Sequence, residues 1–256
     1  NMKKILPLLT LMLIISSCHV GRFFIWNFAD IRDYKKFPSQ EVANSATPFH
    51  FEYGDSKSLR LPKYIYTKND SLPFEERIEK DGTVAFLVIR NDSVLYEKYF
   101  NNYDSSNIVP SFSAAKSFVS ALIGIAIDEG KIKSIHDPIT DYIPELKDPG
   151  YKKITIEHLL QMRSGIKFNE SYVNPFGDAA KYYYGRDLHK YLIKQPIESA
   201  PDSEFNYLSI NTQLLGWIVE RATGKPLYTY LEEKIWKPLG MESPASWSVD
   251  SKKHNA

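Results

Sequence analysis

The order of its elements predicts an α+β fold. Three observations carry this reading: a β-hairpin pattern over residues 83–100, a run of helical patterns after it, and no strand–helix alternation of the kind that builds a parallel sheet. With 256 residues, 43% of them hydrophobic, the chain suffices for one sizeable domain or two small ones.

The hairpin comes first. "TVAFLVIR" and "SVLYEKYF" meet at Asn91-Asp92, residue types that tolerate the left-handed backbone of a tight turn. The first strand is apolar on both faces, so it expects cover on both. "PSFSAAKSFVSALIGIAI" then predicts a helix from near Ser113 to Glu129, closed by Gly130. In "TIEHLLQMRSG" Thr155 is the expected N-cap and Gly165 the stop. "NTQLLGWIVERATG" carries an apolar stripe at Leu214, Leu215, Ile218, Val219 and Ala222. "PLYTYLEEKIWKPLG" places Leu227, Leu231 and Ile235 on one helical face. Ahead of the hairpin, residues 39–73 are polar, proline-punctuated and poorly periodic, which reads as an extended lead-in.

The first residues have a different character. Met2, Lys3 and Lys4 precede an apolar run from Ile5 to Ile15, too short to span a bilayer and shaped like an export signal. Its ending, Ile15-Ser16-Ser17-Cys18, resembles a bacterial lipobox, which implies cleavage before Cys18, lipidation of that sulfur and a membrane-tethered protein outside the cytoplasm. The alternative is a cleaved soluble secretory signal with a chance cysteine. The expected division is therefore a signal over 1–18, an extension over 19–73 and the main domain over 74–256. Five of the six residues from Phe23 to Phe28 are large and apolar, suited to the membrane interface or to packing on the domain. A lone cysteine excludes a disulfide framework and any cysteine-built metal site. The net charge is +1 with no block of one sign, so nothing favours nucleic acid.

The chemistry centres on Ser113 and Lys116. With 24 serines and 24 lysines, about two Ser-x-x-Lys matches arise by chance, and two exist: Ser113/Lys116 and Ser164/Lys167. Only the first lies within one continuous helical pattern, where positions i and i+3 share a face. A serine hydroxyl becomes a strong nucleophile when a base takes its proton, and a lysine desolvated against "FVSALIGIAI" is a candidate base. The helix N-terminus also points free N–H groups at charge developing on an attacked carbonyl oxygen. The plainer alternative is a capping Ser111 or Ser113 and a Lys116 that reaches solvent. His136 and His158 lack metal-ligand spacing, and no Gly-x-Ser-x-Gly elbow or phosphate loop is present, so neither metal nor cofactor is expected.

Tyr207 follows Ser113 by 94 residues and stands just before a helix, in "FNYLSINTQLLGWIVERATGKPL". Together with "SFSAAKSF", "LLQMRSGI" and "EKIWKPLGM", this string resembles the serine β-lactamase and penicillin-binding-protein superfamily, and within it the class C-like esterases and 6-aminohexanoate-dimer hydrolases. The resemblance runs roughly from Val84 to Ser248. It implies a β-lactamase/transpeptidase-like fold, an antiparallel sheet flanked by helices with a helical subdomain. It also implies a serine hydrolase acting on a small amide or ester through an acyl-enzyme. Ser113 is then the nucleophile, Lys116 its proton partner and Tyr207 the relay to the leaving atom. "NESYVNP" resembles a segment whose tyrosine contacts amide substrate, which makes Tyr172 a substrate-binding candidate beside Ser209 and Asn211; helix capping is the plain alternative for Asn211. A peptidoglycan DD-peptidase, or a non-catalytic lipoprotein that keeps the fold, are the competing readings. The superfamily's third element, Lys- or His-(Ser/Thr)-Gly on a later strand, does not occur before Ala256. The sequence is therefore expected to be the N-terminal part of a longer hydrolase, with its sheet and one oxyanion donor incomplete.

Overall fold

The computed structural model describes residues 19–26, 29–251 and 254–255, so Cys18 and the preceding signal-like run lie outside the described residues. Two compact units are present. One comprises the described residues up to Pro48 together with Pro110 onward, the other Phe49–Val109.

The first unit opens with α1 (His19–Trp26) and β1 (Ser39–Val42). The aromatic stretch packs on the domain by one side. Phe23 is buried edge-on against Tyr184, the Arg22 Nε donates to the Tyr184 carbonyl, and Trp26 meets Phe37. The other side stays open, with Phe24 66% and Ile25 58% exposed.

The second unit holds β2 (Glu52–Tyr53), β3 (Tyr64–Tyr66), β4 (Ser71–Pro73), α2 (Phe74–Lys80), β5 (Ala85–Arg90) and β6 (Ser93–Tyr99). The hairpin forms where the sequence places it, with Asn91 and Asp92 at φ 51° and 55°. The short β2 adds to β6 in parallel, so the sheet order is β2-β6-β5 and β5 is an edge. One face of β5 is partly covered, Phe86 meeting Phe74 and Tyr96. Leu87 and Ile89 on the other remain 45% exposed, so the two-sided cover expected for this strand is absent within its own unit.

The first unit resumes as a run of helices: α3 (Ala115–Asp128), α4 (Ile156–Leu160), α5 (Asp178–Tyr184), α6 (Leu188–Leu192), α7 (Ser209–Thr223) and α8 (Leu227–Leu231). Gly130 and Gly224 follow α3 and α7 in the left-handed conformation that closes a helix. Thr155 caps α4 in a reciprocal box with His158. That helix ends at Leu160, sooner than the sequence suggests, and Met162 turns the chain at φ 57° before Gly165 does. The core forms where Val119, Leu122, Ile123 and Ala126 of α3 meet the stripe of α7. Leu227, Leu231 and Ile235 are all buried, although α8 widens into a π turn over Glu232–Trp236. The final strand, β7 (Ala245–Ser248), pairs antiparallel with β1, Val42 opposite Ala245. Part of the stretch read as an extended lead-in is thus built into this unit, with Val42 1% exposed. Among the described residues no helix is long and apolar enough to cross a membrane.

Candidate active site

Ser113 lies in a single 3₁₀ turn, Phe112–Ala114, that runs directly into α3. Neither Ser111 nor Ser113 caps the helix through its side chain. Instead the half-buried Lys116 directs its ammonium at the exposed Ser113 hydroxyl, with Nζ 3.2 Å from Oγ. The capping alternative is therefore not the one adopted. The residue before the serine is strained: Phe112 sits at φ 44°, a conformation that costs a residue with a Cβ about 1–2 kcal/mol. Such strain persists where the surroundings enforce it, and here it lies at the entry of the turn that presents Ser113.

Tyr207 reaches the same place from the segment just before α7. Leu208 is extended, at φ −129° and ψ 122°, and buried, so it anchors the segment just before α7. Tyr207 stays 43% exposed, and the Lys116 Nζ lies 5.4 Å from its ring centroid. Packing of α3 on α7 thereby brings all three residues of the expected Ser-Lys-Tyr set together.

Ser209 and Tyr172 adjoin one another, their side-chain oxygens 3.4 Å apart. Both are held by Glu170. Its Oε1 accepts from the Tyr172 hydroxyl at 2.6 Å and from the Ser209 hydroxyl, and its Oε2 accepts the Ser209 N–H at 2.9 Å. Burial, followed by the hydrogen bond to Glu170, pushes the Tyr172 phenol up to about 12. No local pattern marks Glu170, an ordinary acidic residue in a loop, and sequence reasoning missed it.

Asn211 departs from the expectation of a lining role. It is wholly buried; its Oδ1 accepts from Ser164 Oγ at 2.6 Å and its Nδ2 faces the Met162 sulfur. Neither lining nor side-chain capping describes it: it bolts the 162–166 loop to the first turn of α7. The same bond disposes of the second Ser-x-x-Lys match, since Ser164 is buried while Lys167 is exposed and faces Glu198 at 3.8 Å.

Away from these residues, Asp187, Asp250 and His254 converge closely enough to suggest a metal site. Their atoms already serve as hydrogen-bond partners. Asp250 accepts from the Leu188 N–H and the His254 N–H and contacts His254 Nδ1, while Asp187 caps α6 at Lys190. A cavity of about 390 Å³ lies on the flank of α3 between Ser117, Ala121, Ile125, Ile235 and Leu239; Ser113, Lys116 and Tyr207 are not in its wall.

This architecture is that of the β-lactamase/transpeptidase class. A solved structure of a Bacillus anthracis protein, provisionally assigned as a 6-aminohexanoate-dimer hydrolase, matches with a TM-score of 0.77 and 26% identity, covering 91% of this chain and 63% of that one. Residues 74–256 match the beta-lactamase family, and the chain belongs to it. The 6-aminohexanoate-dimer hydrolase of Paenarthrobacter ureafaciens is 32% identical over 237 residues, 88% of this chain and 57% of that protein. The N-acetylmuramyl-L-alanine amidase of Bacillus subtilis (strain 168) is 32% identical over 198 residues, 66% of this chain and 44% of that protein. The chain spans less than two thirds of the length of each of these three proteins.

Proposed function

We propose that the protein is a serine hydrolase that opens a small amide or ester through an acyl-enzyme on Ser113. The observation that carries this reading is the 3.2 Å approach of Lys116 to Ser113 at the start of α3, with Tyr207 alongside. When Lys116 is neutral, it takes the Ser113 proton as Oγ attacks the carbonyl carbon, and the carbonyl oxygen becomes an oxyanion. Tyr207 passes a proton to the leaving nitrogen or oxygen as that bond breaks. Water then releases the acyl group by the reverse relay. The names of two relatives, a 6-aminohexanoate-dimer hydrolase and an N-acetylmuramyl-L-alanine amidase, favour an amide.

A fluorophosphonate probe should label the full-length protein on the peptide that contains Ser113, and Ser113→Ala should abolish the label. Undiminished labelling of that variant would remove Ser113 as the nucleophile.

We also propose export and lipid anchoring through Cys18. The support is the apolar run before it and the Ile-Ser-Ser-Cys ending. Phe24 and Ile25 then follow within one short helix, exposed and available to the lipid interface. Cys18→Ser should release the protein from the membrane fraction or leave its signal uncleaved. Full membrane retention of a correctly processed variant would make the aromatic stretch the anchor instead.

A further inference from the structure

No linker separates Cys18 from α1. The helix begins at His19, whose Cα lies about 3.8 Å from that of Cys18 by covalent geometry. Each helical residue adds about 1.5 Å of rise, so Phe24 stays within about 11 Å of the cysteine however the helix is inclined. Nor can α1 swivel, because one side is fastened to the first unit. Phe23 and Arg22 are buried against Tyr184, and Trp26 packs edge-on to Phe37, which meets Tyr183 in the same way. The Trp26 carbonyl also accepts from Lys36 Nζ at 3.4 Å, and Asp33 pairs with that ammonium at 2.7 Å. The unfastened side shows two adjacent large apolar residues, Phe24 and Ile25, both exposed. Exposed Arg32 and Lys35 follow, against one exposed carboxylate, Asp30.

We propose that the face of α1 bearing Phe24 and Ile25 docks on the lipid bilayer, so that the first unit is held in one orientation rather than on a loose tether. The inference rests on the proposed lipidation of Cys18. A lipid on that sulfur brings the start of α1 to the headgroup layer, and the fastened side fixes which side chains meet it. Burying the pair at the interface removes apolar surface from water, and the two exposed cations favour anionic headgroups. Lipid and helix face together supply the two signals that stable anchoring takes. The orientation also bears on the site. Tyr184 ends α5, and Asp178 at the other end accepts the Asn169 N–H at 3.0 Å, next to Glu170. One seven-residue helix therefore links the docking face to the loop that reaches Ser209.

The test uses the processed, lipidated full-length protein in phosphatidylethanolamine–phosphatidylglycerol vesicles. Phe24→Cys and Ile25→Cys each add a free thiol for an environment-sensitive dye, and the protein without the substitution is the blank. Asp128→Cys, at the end of α3, is the control site. We expect emission at 24 and 25 to shift to the blue on vesicles and to be quenched by brominated lipid far more strongly than at 128. Both substitutions alter exposed side chains, so the thermal melt should not move, and either serves if the other fails to fold. Water-like emission at 24 and 25 in the lipidated protein overturns the docking face and leaves the anchor standing. A blue shift that brominated lipid does not quench means that a second copy or another protein covers the pair, which also overturns it. The mass of the N-terminal peptide separates these results from failure of the anchoring reading. If Cys18 carries no lipid, the anchor and this inference fall together.

Discussion

Replacing either Ser113 or Lys116 by alanine in the full-length protein should lower kcat about 1,000-fold or more, and the double variant should fall little further. General acid–base groups contribute about 100- to 10,000-fold each, and residues that act in one proton-transfer step are strongly non-additive. The geometry explains why these two form such a unit. Lys116, in the first turn of α3, faces Ser113 in the preceding 3₁₀ turn across 3.2 Å, so removing either leaves the other without a partner for the proton. The plain alternative for Lys116, a surface ammonium shielding apolar neighbours, predicts a change in stability with kcat nearly intact. Circular dichroism and thermal melting of each variant separate the two. A folded Lys116→Ala protein with near-normal kcat would end the assignment of Lys116 as the base.

The parts of this site that could be read from the sequence are those fixed by helical spacing. Ser113 and Lys116 face each other because they are three residues apart in one continuous helical run, a 3₁₀ turn leading into α3, and the buried faces of α3 and α7 follow from their apolar periodicity. Tyr207 was found through its place before a helix and through the surrounding string, which no single residue would have supplied. What escaped was set by contacts distant in sequence. Asn211 falls in the first turn of α7, where its neighbour Ser209 is a site candidate; its burial is decided by Ser164 and Met162, 47 and 49 residues upstream. Glu170 gains its meaning from Ser209, 39 residues away. The partner that makes a strand of Ser39–Val42 lies about 200 residues further on, beyond any local pattern.

Gly165→Ala should destabilise the protein by about 3–5 kcal/mol, at the upper end for a single small substitution. The backbone at Gly165 has φ 70°, where a Cβ costs about 1 kcal/mol even in open space. The space is not open: an added Cβ would lie 2.3 Å from the Ser199 carbonyl oxygen and 2.9 Å from its carbon. Main chain, unlike the end of a long side chain, cannot swing aside. It is also pinned, since the Gly165 carbonyl accepts from the Glu198 and Ser199 N–H groups, and the Lys167 and Asp202 N–H groups donate across the same seam to the Pro196 and Arg163 carbonyls. Relief of the clash therefore has to break backbone hydrogen bonds of a partly exposed seam. The damage should reach the chemistry, because the adjoining Ser164 holds Asn211 and through it the first turn of α7, beside Ser209 and Tyr207. Gly124→Ala is the control. That glycine is in mid-helix α3 with nothing within 4 Å of a new Cβ, so alanine should raise stability by about 0.5–1 kcal/mol. Thermal melts of the two variants should move in opposite directions, by about 10 °C downward for Gly165→Ala. An unshifted melt for Gly165→Ala would mean that the seam between residues 162–167 and 196–202 yields freely, and that the loop does not brace the site.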